Sequence, residues 1–266
     1  MYIFAAQLTI MRVTPKKRLG QHFLTDETIA EQIARTLSPN DKNILEIGPG
    51  MGVLTKYLIQ DQSLNIKVVE IDHESVEYLE HHFPQLGENL IEGDFLTLDL
   101  SRLFQSSFTV IGNFPYNISS QILFKVLENK DNIPSLVGMF QKEVAERIAS
   151  KPGNKHYGIL SVLLQAFYDI DYLFTVNETV FSPPPKVKSA VIRMQRNPEK
   201  ELHCDELLFK TVVKTAFNQR RKTLRNSLRS INFEKGFLND PIFNLRPEQL
   251  SVSDFEKLVR NVQKIM

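Results

Sequence analysis

The chain is 266 residues long, with 42% hydrophobic residues, 24% charged residues and a formal net charge of +1, the make-up of an ordinary globular protein long enough to bury a large core. Its single cysteine, Cys204, excludes an internal disulfide framework, and since His203 is directly adjacent and no second Cys or His lies at ligand spacing, no zinc site is expected. No uninterrupted run of about 18 apolar residues is present to predict a membrane-spanning helix.

At the amino end, residues 2–10 are mostly apolar, but no basic residue precedes them and no A-x-A site follows, a poor match to a signal peptide. Residues 1–10 are expected to be an upstream or non-native extension, and residues 1–13 to be flexible. Met11 opens a basic stretch containing Arg12, Lys16, Lys17 and Arg18. From about residue 26 to 195 the pattern alternates. Strands are predicted at 43–47, 66–71, 89–92 and 109–112, with helices at 53–59, 73–83 and 119–127 between and after them. A strand at 136–140, helices at 143–149 and 157–167, and strands near 172–176 and 187–194 complete the region, the last two separated by Pro183, Pro184 and Pro185. Such alternation implies a mostly parallel sheet covered by helices on both faces. Residues 197–201, polar and holding Pro198, read as a linker, after which only helices are predicted, at 207–217 and 223–231 and over the last stretch. There Phe255, Leu258, Val259, Val262 and Ile265 share one face behind Ser253 as N-cap. The predicted division is therefore an extension at 1–13, an α/β domain at 14–196 and a small all-α domain at 201–266.

Four motifs end the first four predicted strands. Glu46-Ile47-Gly48-Pro49-Gly50-Met51-Gly52 joins a strand to a helix, where glycines let a ligand approach the backbone. Its G-x-G-x-G spacing puts Val53 where the dinucleotide fingerprint requires its third glycine, against NAD, and it lacks the Gly-Lys-Ser/Thr of a phosphate-binding loop. Glu70, 22 residues beyond Gly48 at the end of Val69-Glu70-Ile71-Asp72, can accept both hydroxyl hydrogens of a ribose. Asp94, after the third strand, can accept from the exocyclic amine of an adenine, although an Asp capping the next turn is an ordinary alternative.

Asn113-Phe114-Pro115-Tyr116 is the sharpest feature. An exocyclic aromatic amine is a poor nucleophile because its lone pair is delocalised into the ring. Acceptors that hold both of its N–H groups favour a tetrahedral nitrogen; the Asn113 side-chain oxygen and the Pro115 carbonyl can be those acceptors, and Tyr116 can stack on the base. The alternative is a plain Pro turn with a core tyrosine.

With these motifs in order the chain resembles the ribosomal RNA small-subunit adenine dimethyltransferase family. The resemblance extends from about Lys17 to near the carboxyl end. It includes Leu19-Gly20-Gln21-His22-Phe23-Leu24, the Glu46 to Gly50 loop, Glu70-Ile71-Asp72, Asn113-Phe114-Pro115-Tyr116-Asn117, Gln141-Lys142-Glu143-Val144-Ala145, Phe181-Ser182-Pro183-Pro184-Pro185-Lys186-Val187 and Phe217-Asn218-Gln219-Arg220-Arg221-Lys222-Thr223-Leu224. It implies a Rossmann-like class I methyltransferase domain, S-adenosyl-L-methionine as donor, and two adjacent adenosines near the 3′ end of small-subunit rRNA, each dimethylated at N6. By position, His22, Leu24, Gly48, Gly50, Glu70, Asp94 and Asn113 would hold the donor, and Asn113, Pro115 and Tyr116 the reacting base. The family often has Asn where His22 stands and an aliphatic residue where Phe114 stands, so Phe114 is expected to alter packing under the base.

Residues 210–229 hold seven basic side chains, Lys210, Lys214, Arg220, Arg221, Lys222, Arg225 and Arg229, and no acidic one. Arg220, Arg221, Lys222 and Arg225 read as a phosphate footprint for RNA; for Lys210 and Lys214 a solvated face is equally good. The implied partner is small-subunit rRNA in a pre-30S particle, with the protein a cytoplasmic monomer that binds no metal. Three other readings share the front motifs: an adenine N6-methyltransferase of large-subunit rRNA, a ribosome-assembly binding factor, and a DNA adenine methyltransferase. The segments 183–187 and 220–224 favour the small-subunit reading over the first.

Overall fold

The structure, a computed structural model, describes residues 13–198 and 201–263. The expected extension at 1–13, part of the linker and Ile265 of the last helical face lie wholly or largely outside those residues.

The chain enters through a two-residue strand, β1 (Phe23–Leu24), then α1 (Glu27–Ala34), which sequence reading missed. The N-cap of α1 is Asp26, whose carboxylate accepts from the backbone N–H of Thr28 at 2.9 Å and of Ile29 at 3.2 Å. Strands and helices then alternate: β2 (Asn43–Ile47) with α2 (Thr55–Leu58), β3 (Asn65–Glu70) with α3 (His73–His82), then β4 (Leu90–Glu92), which returns without an α-helix to β5 (Thr109–Asn113), itself followed by α4 (Ser119–Glu128). Next come β6 (Ser135–Gln141), α5 (Lys142–Ala149), α6 (Ile159–Gln165), β7 (Tyr168–Val176), a second two-residue strand β8 (Phe181–Ser182), and β9 (Ser189–Arg196).

Seven strands form one sheet in the order β4-β3-β2-β5-β6-β9-β7. Every pairing from β4 to β6 is parallel, and β9 is antiparallel to both of its neighbours, β6 and β7. Successive residues of the inner strands face opposite apolar layers. Leu45, Val69, Val110 and Leu136 join one buried cluster, and Ile44, Val68, Ile111 and Val137 the other. Burial on both faces is what a parallel sheet sandwiched by helices requires. The chain moves outward from β2 to β4 and then returns to β2's other side with β5. The carboxyl ends of β2 and β5 therefore diverge at the switch point where open α/β sheets bind ligands. β7 begins four residues earlier than its apolar run suggests, because Asp169 and Asp171 alternate with Tyr168 and Ile170 and extend the pairing to β9.

The last part is helical, with α7 (Glu206–Asn218) and α8 (Leu224–Ser227) joined by a short turn and α9 (Val252–Arg260) reached through a longer segment of three short 3-10 helices. The predicted helix at 223–231 stops after one turn: Leu224 and Leu228 are buried, and the chain bends at Leu228 to leave Ile231 N–H on the Leu228 carbonyl. The α9 cap is Ser251, not Ser253. Ser251 and Asp254 form a reciprocal capping box, which satisfies two backbone donors where Ser253 would satisfy one. Phe209, Val213, Phe217, Phe255 and Leu258 belong to the same buried cluster as Ile148, Leu160 and Leu164 of α5 and α6, so these helices dock on the α/β layer through apolar packing.

Candidate active site

The four motifs meet on one rim, because β2, β3, β4 and β5 are mutually parallel and all end there. They line one cleft, the kind of concave, largely apolar hollow with a few convergent polar groups that binds small molecules. His22, Gly48, Gly50, Glu70, Asp94, Asn113, Pro115 and Tyr116 all line it. Leu24 does not: its buried side chain lines a small hollow behind the glycine turn, with Glu46 and Met51. Sequence reading passed over Gln21, Phe23, Ile71, Phe95 and Leu96, which also line the cleft.

Glu70 is buried, and its carboxylate is already oriented. Oε1 accepts from the N–H groups of Ile71 and Asp72, both at 2.9 Å, and Oε2 accepts from Gly50 N–H at 3.0 Å. Burial pushes this carboxyl above its ordinary pKa, and those three backbone donors pull it back. The Gly50 contact ties the ends of β2 and β3 together across the cleft floor. Gly50 holds φ +56°, and a Cβ there would lie 2.8 Å from the Phe23 ring, so only glycine closes this turn beneath Phe23.

Neighbouring Glu46 is fully buried, with Oε2 accepting from Thr55 Oγ1 at 2.7 Å. Burial, partly offset by Thr55 and reinforced by the charge of Glu70, raises its pKa to about 8. The fold thus holds a proton that the unfolded chain releases, so stability falls as pH rises from the ordinary glutamate range toward that value and is level beyond it. Glu46→Gln is expected to match wild type closely at about pH 5 and to be more stable by on the order of 2–4 kcal/mol at about pH 8.5, read from urea midpoints. Equal midpoint shifts at both pH values would show that Glu46 keeps no such proton.

The segment before β1 crosses the cleft as a strap. Lys16 pairs with Asp72 and, at 3.2 Å, with Glu74; Gln21 Nε2 donates to Asp72 Oδ2 at 3.1 Å. Lys16 holds the buried Asp72 carboxyl below its usual range, against the opposing effect of burial. At its other end β1 pairs with β8, and His22 Nδ1 lies 2.8 Å from the Pro183 carbonyl, which can only accept. Nδ1 therefore carries the proton.

Asn113 Nδ2 donates to the His22 carbonyl at 3.1 Å. Because a carbonyl cannot donate, this contact fixes the amide orientation and leaves Oδ1, which has no hydrogen-bond partner among the described residues, as the acceptor of the cleft-lining side chain. The Pro115 carbonyl accepts a long bond of 3.3 Å from Ile118 N–H and keeps a second lone pair. The Tyr116 hydroxyl lies 2.5 Å from Ser189 Oγ, and its ring stacks on His22 with centroids 5.3 Å apart. Burial raises the Tyr116 pKa, so its hydroxyl stays protonated. Phe114 borders the cleft and is almost wholly buried. Its buried ring packs on Phe140 and fills the space left by Gly112 and Gly138; a Cβ on Gly138 would meet it at 2.0 Å.

The residues fit an adenosyl methyl donor. A buried, pre-oriented carboxylate faces the cleft beside Ile71, an apolar side chain that is 49% exposed, and Asp94 lies one strand further along. A flat, apolar ring bearing a ribose and an exocyclic amine suits that set.

The turn between α7 and α8 presents Arg221 and Lys222 to solvent, with Arg225 and Arg229 exposed beyond it. Among the described residues no carboxylate lies within ion-pair distance of Arg221, Lys222 or Arg229. Arg220 is half-buried and donates to the Lys155 carbonyl at 2.5 Å, and Arg225 reaches the Leu238 carbonyl at 3.2 Å. Lys210 faces Glu128 at 3.8 Å and Lys214 lies over the Phe124 ring, so both have partners within the chain.

Residues 12–259 match the family model described as ribosomal RNA adenine dimethylase. The chain is 61% identical over 246 residues to ribosomal RNA small subunit methyltransferase A of Cytophaga hutchinsonii, covering 92% of this chain and 95% of that one. It is 57% identical over 260 residues to the protein of the same name from Porphyromonas gingivalis, covering 96% and 100%. Among solved structures it resembles a dimethyladenosine transferase from Plasmodium falciparum (TM-score 0.72, 26% identity, 89% of this chain and 96% of that one). It also resembles the 23S rRNA methyltransferase ErmE (TM-score 0.65, 25% identity, 90% and 99%).

Proposed function

Because this chain belongs to the ribosomal RNA adenine dimethylase family, we propose that it dimethylates the N6 amines of two adjacent adenosines near the 3′ end of small-subunit rRNA, with S-adenosylmethionine as donor. The observation that carries the reading is the free Oδ1 of Asn113 on the same rim as the buried carboxylate of Glu70. The relatives named for the small subunit, at identities of 57% and above, favour that substrate over the large-subunit alternative.

In this reading Glu70 holds the ribose, Asp94 the adenine amine, and the glycine turn and Asn113 the methionine end of the donor. The donor, when bound, supplies an electrophilic methyl group on a sulfonium. The protein's own contribution is alignment. Asn113 Oδ1 and the Pro115 carbonyl accept the two N–H bonds of the target amine, hold its nitrogen toward tetrahedral geometry and stabilise the positive charge that develops there. No side chain need remove a proton beforehand, because the amine becomes acidic only once it is alkylated. Tyr116 supplies the stacking platform. Residues 14–196 would form the catalytic unit, and Arg220, Arg221, Lys222 and Arg225 of the helical part would bind rRNA phosphates in a pre-30S particle. The protein would act in the cytoplasm as a monomer.

Incubation with labelled donor and either unmethylated small subunits, protein-free large-subunit rRNA or duplex DNA separates the alternatives. Label confined to two neighbouring adenosines of small-subunit rRNA is expected; transfer to either other substrate instead would replace this reading, and transfer to none would leave only an assembly-binding role.

A further inference from the structure

Lys125 lies on α4, the helix that follows the Asn113 to Tyr116 motif, yet its side chain reaches across to the loop after β4. Nζ donates to the carbonyls of Phe95 and Leu98, both at 2.6 Å, and lies 5.1 Å from the centre of the Phe95 ring. The loop it grips begins with Asp94. Asp94 Oδ1 accepts from Leu96 N–H at 2.8 Å, and the Asp94 carbonyl accepts from Thr97 and Leu98 N–H at 3.1 and 3.0 Å. Asp94, Phe95 and Leu96 all line the cleft. Partial burial lowers the Lys125 pKa, and the carboxylates of Asp94 and Asp99 oppose that effect, so the ammonium is held by the loop it organises. At the other end of α4, Ser119 Oγ donates to the Tyr116 carbonyl at 3.1 Å. One helix therefore touches the turn expected to hold the target base and the loop expected to hold the donor's adenine.

We propose that Lys125 is a positioning residue for donor recognition: by tying the Phe95 and Leu98 carbonyls to α4, it holds Asp94 where its carboxylate accepts the adenine 6-amino group. The inference rests on Asp94 being the adenine acceptor. A lysine on a helix surface would ordinarily extend into water with its ammonium hydrated. Here two of its three donors are committed to carbonyls of one short loop. Without them, the loop loses its only charged tie to α4 among the described residues, and Asp94 is free to turn toward solvent.

The test compares binding of S-adenosylhomocysteine with that of its inosine counterpart, in which an oxygen acceptor replaces the amine donor. Calorimetry on the full chain needs no turnover. Wild type is expected to prefer the adenosine form by about ten- to a hundredfold, the range for a hydrogen bond to a charged group. Lys125→Met is expected to narrow that preference to about twofold, mainly by weakening the adenosine form, and Lys125→Arg to restore most of it, because a guanidinium can also donate to two carbonyls. Should Lys125→Met not fold, the comparison is read on Lys125→Gln, whose shorter amide cannot span both carbonyls. A wild-type preference that survives intact in the folded variant would overturn the role of Lys125 while leaving Asp94 as the acceptor. No preference in wild type would overturn both.

Discussion

Asn113→Ala is expected to lower turnover at saturating donor and RNA by about 100- to 1,000-fold, the usual effect of removing one acceptor or donor aimed at transition-state charge. Donor affinity, measured with S-adenosylhomocysteine, should change far less than turnover. The asymmetry follows from the geometry. Glu70 is fixed by the backbone of Gly50, Ile71 and Asp72, and the Asn113 side chain bonds instead to the His22 carbonyl, so the ribose end of the site survives the substitution. The link lost with the side chain is its bond to the His22 carbonyl, but the strap that contains His22 keeps its ion pair at Lys16 and its pairing with β8. A variant that keeps near-wild-type turnover would show that Asn113 Oδ1 is not an acceptor for the reacting amine. An equal loss in donor affinity would show that Asn113 serves the donor's methionine end alone and not the reacting amine.

The second large effect is at Tyr116. Tyr116→Ala should raise the KM for RNA and lower turnover, together costing about ten- to a hundredfold in kcat/KM, since base–aromatic stacking contributes roughly 1–3 kcal/mol per base. Tyr116→Phe keeps the ring and loses only the bond to Ser189, so a few-fold loss is expected. Comparison of the two separates platform from hydroxyl: equal damage would assign the role to the hydroxyl and its contact with Ser189. The His22 ring already stacks on Tyr116, so the incoming base must use the other face or displace that ring. Tyr116→Ala therefore also frees His22, and RNA protection of the Tyr116 region from hydroxyl-radical footprinting would report which face the base takes.

The sheet was legible because its strands are apolar on both faces and end in residues with special chemistry: glycines after β2, Glu70 at the end of β3, Asp94 after β4 and Asn113 at the end of β5. Parallel pairing places those ends on one rim, so the cleft follows from strand order alone. What the sequence hid depends on contacts between distant segments. β1 is two residues long and exists only because β8 pairs with it. α1 has a plain Asp26 cap with no Gly or Pro to announce it. Phe114, expected to alter packing under the target base, is buried against Phe140 in the space that Gly112 and Gly138 leave for its ring. Leu24, matched to a donor contact by position, faces the hollow behind the glycine turn. Lys125 reads as one more basic residue on an amphipathic helix, and only the fold shows both carbonyls it holds. The shared buried cluster joining α6 to α7 and α9 likewise has no signature in the linker that precedes α7.

Co-crystallisation with S-adenosylhomocysteine and an oligonucleotide bearing two adjacent adenosines tests the arrangement most directly. The ribose hydroxyls should meet Glu70, and one adenosine should be turned out of its strand against Tyr116, its N6 within hydrogen-bond distance of Asn113 Oδ1 and facing the donor sulfur. Binding of the ribose away from Glu70, or an adenosine whose N6 lies out of reach of Asn113, would contradict it.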